Sequence, residues 1–259
     1  MFFQLKSYLH FLWLSKNEHG VHSPFVFTLV TQCFYDKAKH ADYAVLNQYR
    51  SSLLADKNAI EVTDFGAGSR VFKSANRSIA QIAATAGISK KRAQLLYRIT
   101  RYFEPNSILE LGTSVGLATA SMVLGNKKAQ ITTLEGCPET GKIAKNLFKN
   151  FHFHQIEAIT TRFEDFLQED QLAAKKYDLI YFDGNHAKEA TVRYFEQLLP
   201  TTHNETVWIF DDIHWSKEMQ EAWAMIQNHP KVTVTIDTHQ WGLVFFRKEQ
   251  AKEHFVIRI

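Results

Sequence analysis

From residue 107 to its end the chain alternates short β-rich runs with segments of helical period, and this alternation constrains the fold more than any other feature. The runs SILELG, QITTLEG, EAITT, YDLIYFDG and TVWIFDD read as strands, with candidate helices between them. PETGKIAKNLF has Pro138 suited to a first helical turn, and SKEMQEAWAMIQ puts Met219, Ala222, Trp223 and Ile226 on one face. A largely parallel sheet covered on both faces follows, an α/β architecture. The ending breaks the pattern. KVTVTIDTHQWGLVFFRK holds two strands joined by too few residues for a parallel crossover, so they pair as an antiparallel hairpin. Residues 1 to about 106 are mainly helical in pattern, with HGVHSPFVFTLV and TDFGAGSR as irregular joints. The expected division is a helical N-terminal extension or lid over 1–90 and the α/β domain over 91–259.

A length of 259 residues, 45% apolar and 22% charged, suits a well-filled globular domain and excludes disorder as the theme. The formal charge of +3 is too small to argue for nucleic acid. With only Cys33 and Cys137 a disulfide framework is not expected, and a reducing, cytoplasmic setting is the natural reading. The opening MFFQLKSYLHFLWLSKNEHG is interrupted by Lys6 and His10, too short to span a bilayer and without a small-residue cleavage site. It is expected to pack on the α/β domain.

Two stretches compete for the part of a cofactor-binding glycine turn: TDFGAGS at 63–69 and LELGTSVG at 109–116. Such a turn needs a buried strand before it, a helix after it whose free N–H groups face the ligand, and an acid at the end of the next strand for ribose hydroxyls. LELGTSVG has all three, with Ile108, Leu109 and Leu111 in the strand, LATASMVLG as helix, and Glu135 closing QITTLEG. TDFGAGS is followed by polar residues and helices, with no second strand bearing an acid, and reads as a loop near the site. The spacing E-x-G-x-x-x-G, with Thr113 and Ser114 between Gly112 and Gly116, lacks the middle glycine of a pyrophosphate turn. That argues against a nucleotide-dependent oxidoreductase. A ligand with an amino acid end and a ribose fits better: Glu110 meets an ammonium, the loop N–H groups and hydroxyls a carboxylate, and Glu135 the ribose. S-adenosylmethionine has that form.

On these residues the chain resembles the class I S-adenosylmethionine-dependent methyltransferases, closest to O-methyltransferases of the catechol and caffeoyl-CoA type and to metal-dependent sugar O-methyltransferases. The resemblance runs over about residues 90 to 248, through AQLLYRITRYFEP, ILELGTSVGLAT, TTLEGCPET, YDLIYFDGNH, VWIFDD and the closing hairpin. It implies a Rossmann-like sheet of order 3-2-1-4-5-7-6 with the last strand antiparallel. It also implies cofactor contacts from Glu110, Gly112, Thr113, Ser114, Gly116, Glu135, Gly136 and Asp183, with Phe163 beside the adenine. Arg162 departs from the pattern, standing where many relatives carry an acid near the base.

Ligands of open α/β sheets bind beyond the carboxyl ends of the strands, where YFDGNH and IFDD put Asp183, Asp211 and Asp212. Three carboxylates brought together repel unless a cation sits among them, and a hard cation such as Mg²⁺ would leave positions for substrate oxygens. In metal-dependent relatives ligands occupy positions resembling these three; the usual Asp-Asn is here Asp211-Asp212. A purely structural reading stands beside this one, in which both acids bond the turn leading to Ser216. His186, three residues after Asp183, is a candidate base, as in the sugar enzymes, and His214 is a second. The expected partner is a small-molecule acceptor bearing a hydroxyl, without nucleic acid or a membrane span, in a monomer or a homodimer.

Other patterns carry less. SIAQIAATAGISKKRAQLLYRI has the outline of a helix-turn-helix, opening its second helix with Lys90, Lys91 and Arg92. That helix continues through Leu95, Leu96, Ile99 and Phe103 directly into the first strand, as a helix covering a sheet does. His19, His22 and Cys33 lack a compact four-ligand spacing for zinc.

Overall fold

The computed structural model describes residues 2–65, 74–85, 87–168 and 172–259. In chain order the elements are α1 (Phe2–Leu14), α2 (Pro24–Leu29), α3 (Asp42–Ala55), β1 (Ala59–Glu61), β2 (Asn76–Ser78), α4 (Ile79–Thr85), α5 (Lys90–Phe103), β3 (Ser107–Leu111) and α6 (Leu117–Gly125). They continue with β4 (Gln130–Glu135), α7 (Pro138–Asn150), β5 (Ile156–Thr160), α8 (Phe163–Leu167), β6 (Leu179–Phe182), α9 (Lys188–Leu198), β7 (Val207–Asp211), α10 (Lys217–Asn228), β8 (Val234–Asp237), β9 (Trp241–Phe245) and β10 (Glu253–Val256). The chain forms two compact units, one of Asp36–Phe166 and one of Met1–Tyr35 with Leu167–Ile259. The first ninety residues are thus shared between them.

In the 36–166 unit β3 pairs in parallel with β4, and β4 with β5, so that Ile108 lies opposite Ile131 and Ile131 opposite Ile156. Ile108, Leu109, Glu110 and Leu111 are all buried, the pattern of a strand covered on both faces, with one acid inside it. The helix α6 is buried from Leu117 to Leu124, which its nearly all-apolar and small-residue sequence allows. The helix α5 begins at a Ser89 cap, whose hydroxyl accepts the Arg92 N–H, and buries Leu95, Leu96, Ile99 and Thr100 while packing on α6. It is a covering helix. The strands β1 and β2 form a small antiparallel sheet, with Ile60 opposite Arg77. The connection between them carries TDFGAGS, of which 66–69 lie outside the described residues.

In the other unit β6 and β7 are parallel, β9 runs antiparallel to both β7 and β8, and β10 is parallel to β8. The expected segment 3-2-1 is therefore β5-β4-β3, and the segment 4-5-7-6 is β6-β7-β9-β8, with β8 and β9 as the antiparallel hairpin. The strand β10 is additional to the expected order and lies outside β8. Its following residue, Ile257, is buried and donates its N–H to Asp237 O at 2.8 Å, while Lys16 N donates to Val256 O at 2.9 Å and Arg258 N to Lys16 O at 3.0 Å. The end of α1 is thereby tied to the sheet edge. A Cβ at Gly242 of β9 would lie 2.5 Å from the Trp223 ring, so α10 approaches the sheet more closely than any side chain there would permit. Among the described residues no helix is long and apolar enough to cross a membrane.

Ile257 closes the edge where three segments meet, so Ile257→Ala is expected to cost about 2–4 kcal/mol. A fall in the urea midpoint at unchanged slope would register it; an unchanged midpoint would show that the edge contributes little.

Candidate functional site

The glycine turn of the 36–166 unit is built from backbone that only certain residues adopt easily. Gly112 has φ 109° and Gly116 φ 81°, both left-handed, with Ser114 between them at φ 48°. The turn is anchored on the next strand, for the N–H groups of Gly112 and Thr113 both donate to Leu134 O at 3.0 Å. Tyr49 from α3 closes it from behind, its hydroxyl donating to Val115 O at 3.0 Å. A side chain at Gly116 would strike that hydroxyl and the Phe148 ring, so the position requires glycine on two counts.

Two acids flank this turn. Glu110 is fully buried; Thr119 and Thr133 hydroxyls both donate to its Oε2 at 2.5 Å, and Thr113 Oγ1 bonds Thr133 in turn. Its Oε1 is buried and has no partner among the described residues. Burial pushes the Glu110 carboxyl up to about 7, against the lowering effect of the two hydroxyls. Glu135, at the end of β4, reaches across to the turn: its Oε2 accepts the Ser114 N–H at 2.7 Å and its Oε1 the Cys137 N–H at 2.8 Å. Burial raises its pKa and these amides oppose the rise. Gly136 and Cys137 follow, Pro138 opens α7, and Phe163, half-buried, opens α8. Glu110, Gly112, Thr113, Ser114, Gly116, Glu135 and Gly136 thus form one continuous turn region.

The other acids and histidines lie in the second unit. Asp183 follows β6, and His186 Nε2 stands 3.8 Å from Asp183 Oδ1, with side chains 25% and 20% exposed. Between them Asn185 takes a left-handed conformation, φ 50°, and donates its side-chain amide to Tyr194 OH at 3.0 Å. Asp211 ends β7 and is buried; its Oδ2 accepts the Tyr181 hydroxyl at 3.1 Å and its Oδ1 the Asp212 N–H at 2.8 Å. Asp212 is left-handed, φ 55°, and its carbonyl accepts the Trp215 N–H of the turn before Ser216, which caps α10. His214 Nε2 lies 2.7 Å from Asp237 Oδ2, Gln220 bonds its Nδ1 at 3.1 Å, and its ring stacks on His239 with centroids 5.1 Å apart.

Residues 109–213 match the profile of a family described as a methyltransferase domain. Among solved structures, PaMTH1 of Podospora anserina, a methyltransferase bound to S-adenosylhomocysteine, is 15% identical at a TM-score of 0.61, over 88% of this chain and 97% of that one. An O-methyltransferase of Bacillus cereus is 17% identical at 0.55, over 84% and 96%. TomG of Streptomyces achromogenes, an O-methyltransferase of tomaymycin synthesis, is 14% identical at 0.57, over 86% and 95%. No curated protein matches the chain. Residues 109–213 therefore carry the profile of a methyltransferase domain, and the chain has the fold of these methyltransferases.

The donor set of the glycine turn suits the ligand expected there, one with an amino acid end and a ribose: a buried carboxylate oxygen without a partner among the described residues, an acid at a strand end, and a left-handed turn at a helix N-terminus. The expected metal ligands are a poorer fit. Among the described residues no three His, Cys, Asp or Glu side chains are grouped to hold a metal ion, and both Asp211 oxygens already accept hydrogen bonds. Sequence reasoning passed over Asp237, the partner of His214, although its place at the end of an apolar strand in TIDTH repeats the arrangement of IFDD. It also passed over Phe65 and Cys137, which contact each other's segments across the β4 end.

A carboxyl held near 7 when folded and in the ordinary glutamate range when unfolded binds more protons in the native state. Its contribution to stability is present at acid pH and is lost as pH rises through about 7. Glu110→Gln is therefore expected to raise the Tm of the protein without added ligand at about pH 8 and to have less effect at about pH 5, by scanning calorimetry. A Tm difference independent of pH would place the Glu110 proton elsewhere.

Proposed function

We propose that the protein moves the methyl group of S-adenosylmethionine to a hydroxyl oxygen of a small molecule, with His186 as the base. The observation that carries this reading is the Asp183–His186 pair, a partly exposed imidazole backed by a carboxylate just beyond a buried parallel strand. An alcohol is a poor nucleophile until it is ionised, and a base that removes its proton contributes about 10²–10⁴ in rate. His186 would take that proton on a ring nitrogen, with Asp183 3.8 Å away to orient the ring. His214 is less suited, because both of its nitrogens are taken by Asp237 and Gln220 and it is about a tenth exposed.

Glu110, Gly112, Thr113, Ser114, Gly116, Glu135, Gly136 and Phe163 would hold the methyl donor, Glu110 Oε1 toward its ammonium and Glu135 toward its ribose. When bound, S-adenosylmethionine supplies an electrophilic methyl on a sulfonium. Oxygen as the acceptor atom is favoured by the fold's likeness to the Bacillus cereus O-methyltransferase and to TomG. No step is assigned to a metal at Asp183, Asp211 and Asp212, because Asp211 is committed to Tyr181 and to its own turn.

A panel of catechols, sugars and aliphatic alcohols, incubated with the protein and S-adenosylmethionine, should give O-methylated product in at least one class. His186→Ala should then lower kcat by about 10²–10⁴ while leaving S-adenosylhomocysteine affinity unchanged by calorimetry. Products methylated on nitrogen or carbon, or full turnover in His186→Ala, would overturn the assignment, and a rate abolished by chelator and restored by Mg²⁺ would return the metal to it.

A further inference from the structure

Phe65 is a large apolar side chain with 51% of its surface in solvent, yet its place is closely defined. Val62 N donates to Ala75 O at 2.8 Å, extending the pairing of β1 with β2, and Arg77 lies 3.8 Å from Asp64. Thr63 N donates to Cys137 Sγ at 3.4 Å, and the same thiol reaches Glu61 O at 3.8 Å. The segment leading to Phe65 is therefore fastened to the residue that follows Gly136. The ring itself lies over Gly136: a Cβ there would be 2.7 Å from Phe65 Cδ2 and 3.1 Å from Cε2. The Arg162 guanidinium carbon stands over the ring, 5.9 Å from its centroid.

The position of the ring, one residue beyond Glu135, gives it a use. An aromatic ring half open to solvent, with a cation over it and an acid suited to ribose hydroxyls beside it, is the equipment for stacking a nucleobase. We propose that Phe65 is the platform on which the adenine of the methyl donor stacks, with Arg162 at the edge of the base. The assignment rests on the reading of Glu135 as the ribose acid. A guanidinium only donates, so Arg162 would pair with the ring nitrogens of the purine rather than with its amino group. Gly136 is then glycine because the ring must come close to the backbone, and an alanine there would push the platform aside.

Titration calorimetry on the full chain with two ligands tests this: S-adenosylhomocysteine, and S-ribosylhomocysteine, which lacks only the base. Phe65→Ala should weaken S-adenosylhomocysteine about ten-fold and leave S-ribosylhomocysteine unchanged. Phe65→Trp should keep both affinities, and Phe65→Leu, which preserves apolar packing without a π face, should fall between. Glu135→Gln should weaken both ligands. Unchanged S-adenosylhomocysteine binding in Phe65→Ala, with Glu135→Gln impaired, would remove the platform and leave the donor site standing. Equal weakening of both ligands in Phe65→Ala and Phe65→Leu would make the ring a packing element and overturn the proposal. If Glu135→Gln bound both ligands normally, the donor-site reading would fail and the platform with it.

Discussion

The cofactor turn depends on a carboxyl group buried where a charge is costly. Glu110 sits in the middle of a strand whose neighbours are all apolar, and one of its oxygens gathers the Thr119 hydroxyl from α6 and the Thr133 hydroxyl from β4. Thr113, within the turn, joins the same chain of hydroxyls through Thr133. Strand, turn, helix and neighbouring strand are thereby fixed to one another by directional bonds, where apolar packing alone would tolerate sliding. The second oxygen is left without a partner among the described residues, and such a group costs about 1–3 kcal/mol, more when ionised. Raising the carboxyl to about 7, an effect of burial, limits that cost. An ammonium placed against Oε1 would remove it, so the ordering of the turn and the affinity proposed for an amino acid end would have a common physical origin.

The second unit resolves a similar problem in two ways. His214 and Asp237 are 2.7 Å apart and about a tenth exposed, with Gln220 on the far nitrogen and His239 stacked against the ring. Every polar atom of that imidazole is used, which makes it a strut between α10 and the end of β8. His186 and Asp183 are looser, at 3.8 Å, and more open. A base must exchange its proton with a substrate, and only the second arrangement leaves an imidazole free to do so. Asp211 belongs with the first kind. Its bonds to Tyr181 on the adjacent strand and to the Asp212 N–H shape the left-handed turn that leads into α10.

Where the sequence was informative, the reason is burial. Parallel strands covered on both faces are largely apolar runs, so β3, β6 and β7 announced themselves, and a glycine turn set between such a strand and a buried helix marks a place where backbone meets a ligand. The strand β10 did not, because Glu253-His254-Phe255-Val256 is an edge segment with two exposed polar residues, and its pairing depends on where β8 ends. The three-residue strands β1 and β2 are too short to show a period. The doublet Asp211-Asp212 was ambiguous for a different reason: a carboxylate reads alike in sequence whether it faces a ligand or a neighbouring tyrosine. In the fold Asp211 bonds Tyr181, one strand away, a contact that the sequence does not show.

Cys137 makes the same point in reverse. As one of two cysteines it told only that disulfides are not part of the architecture. In the fold its thiol accepts from Thr63 and donates to Glu61, while its own N–H holds Glu135 in place. Three consecutive residues at the end of β4 therefore act in three directions. Glu135 turns back to the glycine loop, Gly136 yields its side-chain space to the Phe65 ring, and Cys137 clips the segment that carries that ring. These roles need to be contiguous, since each is set by the direction in which the chain leaves the strand and enters α7 at Pro138. A larger residue at 136 would separate the ring from the acid, and one without a donor and acceptor at 137 would release the segment. The order Glu-Gly-Cys-Pro is thus one steric and hydrogen-bonding unit, and it ties the segment leading to Phe65 to the end of β4.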